Sequence, residues 1–218
     1  MHLLDVQSIS YKYEDRFKRN ENVLEGFSTA FDAGKVYVIL GESGAGKTTL
    51  LSLLAGLDVC QGGAILYKGK DLKNTNRDKY RAKEVGMVFQ QFNLLHRFNP
   101  VENVVIAMEI SKYKQTNARE YAEKLLERVG IKKEMHTRKV IELSGGEQQR
   151  VAITRAIAHS PSIILADEPT GSLDEDNQKN IMDTLVAFAR EDNKCVIIST
   201  HSRDVAEYAD QLIRIGKC

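Results

Sequence analysis

Four short stretches of the chain are almost continuously hydrophobic. They cover residues 36–40, 85–90, 163–166 and 195–199 and are rich in valine and isoleucine. Strands that are buried on both faces of a parallel sheet have this composition, whereas strands with one solvated face alternate between apolar and polar residues. A buried helix is the alternative for each run, but the runs are short. The pattern therefore predicts a parallel β-sheet.

Helical patterns lie between these hydrophobic runs. Apolar residues recur at helical spacing in residues 48–55, 117–129 and 178–190, and in the last two of these segments charged residues occupy the other faces. Strands that alternate with helices predict an α/β fold. Residues 92–160 carry no convincing strand pattern, and we expect them to form a mainly helical insertion.

A different pattern marks the beginning of the chain. Residues 4–9, 23–31 and 64–67 form short alternating segments that glycine turns separate, which predicts an antiparallel sheet beside the parallel one. A chain of this length fits one domain. The predicted domain has a core of residues 1–90 and 161–218, interrupted by a helical subdomain at about residues 91–160.

Composition narrows the functional classes. The 218 residues are 42% hydrophobic and 28% charged, and 31 Lys and Arg against 30 Asp and Glu give a net charge of +1. That balance argues against a nucleic-acid-binding protein that works by charge alone. No stretch approaches the roughly 18 apolar residues of a membrane-spanning helix, and no secretory signal opens the chain. The three scattered cysteines fit a reducing cytosol.

A glycine-rich segment follows the apolar run at residues 36–40. It fits the spacing G-x-x-x-x-G-K-[ST] without a mismatch, between a predicted strand and a predicted helix, as this phosphate-binding motif requires. Backbone N–H groups of such a loop point at phosphate oxygens, and the helix N-terminus adds positive charge. We expect Lys47 to bind the β- and γ-phosphates and Thr48 to ligate Mg²⁺. The predicted nucleotide-binding residues are Gly41, Glu42, Ser43, Gly44, Ala45, Gly46, Lys47, Thr48 and Thr49.

Two adjacent acidic residues, Asp167 and Glu168, end the apolar run at residues 163–166. In a chain that also has a phosphate-binding loop, we expect Asp167 to hold Mg²⁺ through water. We expect Glu168 to orient and deprotonate an attacking water. A solvated acidic strand end is the alternative, and it would be favoured if the loop were absent.

The segment LSGGEQQR, residues 143–150, discriminates best between functions. Ser144 and Glu147 have the spacing of a capping box, which explains an ordinary helix start. Gly145 and Gly146 are poor helix formers, so the cap does not explain them. They leave bare backbone N–H groups that a phosphate can approach closely. The segment is therefore predicted to be a second anion site.

This segment resembles the signature motif of ATP-binding cassette (ABC) ATPases, and the resemblance covers the whole chain. It implies a RecA-like core with an antiparallel β layer and an inserted helical subdomain. It also implies that Ser144, Gly145, Gly146 and Glu147 of one subunit close over ATP held by another. Further roles follow from the resemblance: Tyr13, or its neighbour Tyr11, stacks on adenine, Gln90 acts in catalysis and Mg²⁺ binding, Asp174 belongs to the D-loop, and His201 contacts the γ-phosphate.

Longer segments, such as VFQQFNLL at residues 88–95 and ADEPTGSLD at residues 166–174, resemble the group of macrolide, lipoprotein-release and antimicrobial-peptide exporters. They imply an ATP hydrolase on the cytoplasmic face of the membrane that drives export or extraction of a peptide, lipoprotein or drug-like substrate through a separate permease. A second copy would dimerise with it when ATP binds. The alternative is an ABC ATPase that regulates a membrane-linked cell-wall enzyme without transport. Soluble ABC proteins of DNA repair or translation usually carry coiled-coil insertions or two cassettes, which this chain lacks.

The contact with the permease is expected between Gln90 and Met108. An apolar cluster lies in this segment, consisting of Phe92, Leu94, Leu95 and Phe98. The core of a packed helical subdomain would have the same composition, so the sequence leaves these two interpretations open.

Overall fold

The protein is described by a computed structural model over residues 2–13 and 22–216. Its strands are β1 (Leu4–Lys12), β2 (Asn22–Phe31), β3 (Val36–Leu40), β4 (Gly62–Tyr67), β5 (Lys70–Asp71), β6 (Val85–Val88), β7 (Ile163–Asp167), β8 (Cys195–Thr200) and β9 (Gln211–Arg214). Its α-helices are α1 (Lys47–Leu54), α2 (Arg77–Glu84), α3 (Pro100–Ser111), α4 (Ala118–Arg128), α5 (Gly145–Ile157), α6 (Glu175–Glu191) and α7 (Arg203–Ala206). Short 3₁₀ helices cover Leu72–Asn74, Lys133–Met135 and Val140–Glu142.

The strands form two sheets. A five-stranded sheet has the order β6-β7-β8-β3-β9, and each of its pairings is parallel. A four-stranded sheet has the order β2-β1-β4-β5, and its pairings are antiparallel. The structure thus confirms the predicted α/β class, the parallel sheet and the separate antiparallel sheet.

Each central strand of the parallel sheet is buried on both faces. In β3, Val36 and Val38 belong to one hydrophobic core, whereas Tyr37 and Ile39 belong to the other. The same alternation occurs in β7 and β8. One core lies between the two sheets and around α1, and the other joins the helices of the insertion to the opposite face. Two-sided burial is the physical reason for the continuous hydrophobic runs.

The helical insertion packs directly on the edge of the parallel sheet. Between β6 and β7 the structure contains α3, α4, α5 and two 3₁₀ helices but no strand, as expected. A side chain at Gly86 of β6 would lie 3.0 Å from the carbonyl carbon of Ala156 in α5 and 3.0 Å from Cγ of Pro161. Glycine at this position lets α5 approach the strand closely, which fixes the helix relative to the sheet.

One predicted strand is shorter than expected, and two elements were not predicted from the sequence. The predicted strand at residues 85–90 ends at Val88, because β6 pairs with β7 only from Val85 to Val88. Helix α2 carries no apolar stripe, since Tyr80 is its one buried residue. Strand β9 is a polar edge strand in which only Ile213 is buried. Within the described ranges, no helix is long and apolar enough to cross a membrane.

Candidate functional site

A cavity of about 650 Å³ lies beyond the carboxyl ends of four parallel strands. The phosphate-binding loop follows β3, Gln90 lies just after β6, Glu168 follows β7 and His201 follows β8. Parallel strands end at one edge of a sheet, so these segments meet although they are far apart in sequence. The cavity is lined by Tyr13, Val23, Glu42, Ser43, Gly44, Gly46, Lys47, Thr48, Thr49, Gln90, Asp167, Glu168 and His201.

The glycines of the loop adopt conformations that other residues rarely accept. Gly44 and Gly46 have φ angles of 80° and 92°. A side chain at Gly46 would also lie 2.9 Å from Cγ1 of Val23 and 3.0 Å from its carbonyl oxygen. No side chain caps the start of α1 at Lys47, and its first turn has no acidic residue. The backbone N–H groups of this turn therefore give the loop a positive end that suits an anion.

Lys47 is held inside the loop by oxygen atoms. Its Nζ donates to the carbonyl oxygens of Gly41 at 2.8 Å and Glu42 at 3.1 Å. The Oε1 atom of Glu168 lies 3.6 Å away, and Lys47 is only 7% exposed. These contacts fix a full positive charge at the floor of the cavity.

Two of the predicted loop residues do not line the cavity. Ala45 is buried in the core, and its backbone N–H donates to Glu42 O at 3.2 Å. A side chain at Gly41 would lie 2.5 Å from the carbonyl oxygen of Ile215. Both residues shape the turn of the loop rather than its inner surface.

Thr48 and Asp167 bring hard oxygen atoms together. Thr48 Oγ1 donates to Asp167 Oδ2 at 2.9 Å, and Ser199 donates to the other carboxylate oxygen. Hydroxyl and carboxylate oxygens are the ligands that Mg²⁺ prefers, together with water and phosphate oxygens. The donor set beside Lys47 therefore fits a magnesium ion that is shared with a phosphate. Ser199 was not predicted; a hydroxyl residue that is fully buried within an apolar run is the signal that could have identified it.

Glu168 lies at the centre of a polar network. Its Oε1 is 2.9 Å from Nδ1 of His201, and its Oε2 accepts from Thr200 Oγ1 at 3.1 Å. Its backbone has a φ angle of 47°, a left-handed conformation that costs a residue with a side chain about 1–3 kcal/mol. Such strained residues cluster at functional sites, where the surrounding structure holds them. The network aims the carboxylate of Glu168 into the cavity.

The two candidate tyrosines occupy different environments. Tyr13 is 55% exposed and lines the cavity, and its hydroxyl lies 3.0 Å from Thr49 Oγ1. Tyr11 is buried and donates its hydroxyl to Asp58. Their rings meet edge to face with centroids 5.2 Å apart. The side chain of Tyr13 is exposed and that of Tyr11 is buried, so the structure favours Tyr13 over Tyr11 as a stacking residue.

Gln90 is exposed at the rim of the same cavity. A side chain at Gly171 would lie 3.4 Å from Nε2 of Gln90 and 3.6 Å from the carbonyl oxygen of Glu168. Gln90 therefore lies beside the loop that follows Glu168, and it reaches the cavity because the chain leaves the sheet after Val88.

The predicted second anion site does not line this cavity. Ser144 and Glu147 form a capping box: Ser144 N donates to Glu147 Oε2 at 2.8 Å, and Glu147 N donates to Ser144 Oγ at 3.4 Å. A side chain at Gly145 would meet only Leu173 at 3.7 Å. At Gly146 it would lie 2.6 Å from Cγ of Asn177. Gly145 is thus open to a ligand, whereas close packing explains Gly146.

Asp174 also lies outside the cavity. It is the N-cap of α6, where its carboxylate accepts from the backbone N–H of Asn177 at 2.8 Å. Hydrogen bonds from the backbone and the side chain of Asn177 lower the pKa of Asp174. The structure therefore brings together the loop and the ends of β6, β7 and β8, and leaves Ser144–Glu147 and Asp174 on other surfaces of the chain.

The apolar cluster at residues 92–98 contains both buried residues, as in a subdomain core, and exposed residues, as at a permease contact. Leu94 is buried, and Phe92 packs against the core. Leu95 and Phe98 are 41% and 39% exposed. A cavity of about 520 Å³ adjoins this segment, and its lining combines Met87, Phe89, Leu95, Ile106 and Ile110 with several polar residues. Ile110 is 73% exposed and was missed, because a single apolar residue on a helix has no distinctive sequence signal.

Comparisons with known proteins agree with this geometry. A sequence profile described as "ABC transporter" matches residues 24–171. The chain is 42% identical over 217 residues to YclH of Bacillus subtilis, an uncharacterized ABC transporter ATP-binding protein, and the match covers 100% of this chain and 95% of YclH. It is 38% identical over 214 residues to LolD of Legionella pneumophila, the ATP-binding protein of a lipoprotein-releasing system, over 97% of this chain and 93% of LolD.

A solved structure resembles the whole fold. It is the dimeric, post-hydrolysis state of the ATP-binding cassette MJ0796, bound to ADP and inorganic phosphate. The two chains are 30% identical and superimpose with a TM-score of 0.88, over 97% of this chain and 94% of MJ0796.

Proposed function

The chain belongs to the ABC transporter family of ATP hydrolases, and from this premise we propose that it is the subunit that powers a separate membrane permease. The observation that carries the proposal is the single cavity in which Lys47, Asp167, Glu168 and His201 converge. A positive loop, an oxygen pair for Mg²⁺ and an oriented carboxylate are the parts that phosphoryl transfer to water needs.

In the proposed mechanism, the loop binds the phosphates of ATP. The N–H groups of α1 and the Lys47 ammonium bind phosphate oxygens, and the exposed ring of Tyr13 stacks on the adenine. Thr48, Asp167 and Gln90 would hold Mg²⁺, which would neutralise charge on the β- and γ-phosphates. Binding thus depends on residues from four separate segments of the chain.

Hydrolysis then depends on Glu168. A water oxygen forms a bond to the γ-phosphorus, the bond to the ADP oxygen breaks, and Glu168 accepts the proton that the water loses. His201, which lies against Oε1 of Glu168, contacts the γ-phosphate and keeps the carboxylate in place. The products are ADP and inorganic phosphate.

A second copy of the chain completes the site. Ser144, Gly145, Gly146, Glu147 and Asp174 lie outside the cavity of their own chain, so a partner must bring them to the nucleotide. The related cassette MJ0796 is a dimer with bound ADP and phosphate, which supports this arrangement. We therefore infer that ATP binding closes a homodimer and that hydrolysis reopens it.

We propose that the permease binds at the apolar cavity beside α3. Leu95, Ile106 and Ile110 offer apolar surface there, within and just beyond the segment from Gln90 to Met108. A short apolar helix of a permease would cover this surface, and the chain would then be held at the cytoplasmic face of the membrane. The likeness to LolD supports a lipoprotein substrate within the wider class of peptides, lipoproteins and drug-like molecules. Control of a cell-wall enzyme without transport is the alternative.

The ATP-driven dimer gives a direct test. Glu168→Gln keeps the size of the side chain but removes the base, so ATP should bind and remain intact. The variant should be a monomer without nucleotide and a dimer with ATP, as measured by light scattering after size exclusion. ADP should not support the dimer, because it lacks the γ-phosphate that the partner's helix N-terminus would bind.

A second variant locates the interface. Ser144→Arg, added to Glu168→Gln, places bulk and charge at the proposed interface and should return the protein to a monomer in ATP. A Glu168→Gln protein that binds ATP but stays monomeric would contradict the proposed dimer. Dimerisation that survives Ser144→Arg would place the interface elsewhere.

A further inference from the structure

The side chain of Asn177 connects the two surfaces of this chain that lie outside its own cavity. Its Nδ2 donates to both carboxylate oxygens of Asp174, at 3.0 and 2.8 Å. Its Oδ1 accepts from Nη1 of Arg150 at 3.2 Å. Arg150 belongs to α5, which begins with Gly145, and Asp174 caps α6. One amide group therefore joins the second turn of α5 to the N-cap of α6.

The amide of Asn177 also sets how closely the two helices approach. A side chain at Gly146 would lie 2.6 Å from Cγ and 3.1 Å from Nδ2 of Asn177. Gly145, one residue earlier, would meet only Leu173 at 3.7 Å. Glycine at position 146 is thus required by Asn177 of the same chain. The packing and the hydrogen bonds act at the same place, so they fix the first turn of α5 against the first turn of α6.

Charge strengthens this connection. The guanidinium of Arg150 and the carboxylate of Asp174 lie on opposite ends of the Asn177 amide, so each polarises the amide in the direction that favours the other hydrogen bond. Nε of Arg150 is buried and, among the described residues, has no hydrogen-bond partner. Loss of Asn177 would therefore remove a partner from a guanidinium that is already incompletely satisfied.

We propose that Asn177 is a positioning residue that holds the Ser144–Gly146 turn and Asp174 as one rigid surface for the second copy of the chain. The inference rests on the proposed dimer. Without Asn177, Asp174 still caps α6 through the backbone N–H of residue 177, so both helices remain. Their spacing is no longer fixed, and the partner would have to order it on binding.

The test compares two asparagines of α6 in the Glu168→Gln protein. Asn177→Ala should weaken ATP-driven dimerisation by about tenfold or more, the scale of a lost hydrogen bond to a charged group. The affinity of the monomer for ATP should change by less than about twofold, because Asn177 lies outside the cavity. Asn180→Ala, three residues further along the same helix and exposed, is the matched control and should dimerise like the parent. Light scattering over an ATP series measures the first quantity, and equilibrium titration measures the second.

Two further variants separate positioning from packing. Asn177→Asp has the same shape and still accepts from Arg150 but cannot donate to Asp174, so it should dimerise as poorly as Asn177→Ala. Gly146→Ala should lower the thermal stability through its clash with Asn177. Adding Asn177→Ala should relieve that clash and restore part of the stability, which measures the packing contribution of Asn177 separately from its hydrogen bonds.

The outcomes distinguish this proposal from the one on which it rests. A Glu168→Gln parent that stays monomeric in ATP contradicts the dimer and the positioning role together. A parent that dimerises, with Asn177→Ala or Asn177→Asp dimerising equally well at the same ATP concentration, overturns the role of Asn177 alone.

Discussion

Replacing Tyr13 by alanine should weaken ATP binding without disturbing the fold. Stacking of a base on an aromatic side chain contributes about 1–3 kcal/mol. Because Tyr13 is 55% exposed, much of its surface stays in water, and we expect the lower part of that range. A loss of about 1–2 kcal/mol corresponds to a roughly 5- to 30-fold increase in the dissociation constant. Little stability should be lost, because an exposed ring buries little apolar surface.

Two control variants isolate the contribution of the ring. Tyr13→Phe keeps the ring and removes the hydroxyl that lies 3.0 Å from Thr49 Oγ1; it should change the affinity by no more than about threefold, as an exposed hydrogen bond contributes little. Tyr11→Ala should lower the stability of the fold rather than the affinity for ATP. It empties a buried site and removes the hydrogen bond from Tyr11 to Asp58, so it should cost about 3–5 kcal/mol of stability.

Equilibrium titration with ATP and Mg²⁺, together with chemical denaturation of each variant, measures both effects. The expected result is a loss of affinity in Tyr13→Ala and a loss of stability in Tyr11→Ala. If Tyr13→Ala binds ATP like the parent while a folded Tyr11→Ala has lost affinity, the assignment of the stacking residue is wrong. If Tyr13→Phe loses as much affinity as Tyr13→Ala, the hydroxyl rather than the ring is responsible.

Three further changes test other parts of the structure. Lys47→Ala should weaken ATP binding by at least about tenfold in an equilibrium titration, because the phosphates lose the charge held at the floor of the cavity; near-parental affinity would contradict the assigned loop. Gly86→Ala should cost about 1–3 kcal/mol in chemical denaturation, because the added methyl group meets Ala156 of α5; unchanged stability would show that α5 shifts freely. Ile110→Glu should abolish co-purification with the permease and leave the ATP-driven dimer intact, whereas Leu57→Glu, at another exposed apolar residue, should leave both the permease contact and the dimer intact; a permease that still binds Ile110→Glu would exclude the cavity beside α3 as the contact.

The amino-acid sequence alone predicts those features that depend on a local pattern of residues. A strand buried on both faces is apolar at nearly every position, so β3, β7 and β8 are visible as hydrophobic runs. The phosphate-binding loop is equally visible, because its glycines and the ammonium of Lys47 act within one short segment. Strand β9 and helix α2 were not predicted, because each has only one buried residue and therefore no apolar pattern in the sequence. Pairing or packing with distant segments of the chain stabilises them.

The choice between residues of equal local pattern depends on contacts across the fold. Tyr11 lies in β1 and Tyr13 lies just after its end, and their partners Asp58 and Thr49 lie more than 30 residues away. The apolar residues at 92–98 likewise divide into a buried set and an exposed set only when α3 and α5 pack beside them.

The reason for glycine at position 146 also depends on a contact across the fold. In the sequence it belongs to a motif in which bare backbone N–H groups suit a phosphate. In the folded chain it faces Asn177, a residue 31 positions later, and the two helices are too close together to leave room for a methyl group there. Sequence periodicity describes which side of a helix is buried, but the distance between two helices depends on the side chains that meet there, and these come together only when the chain has folded.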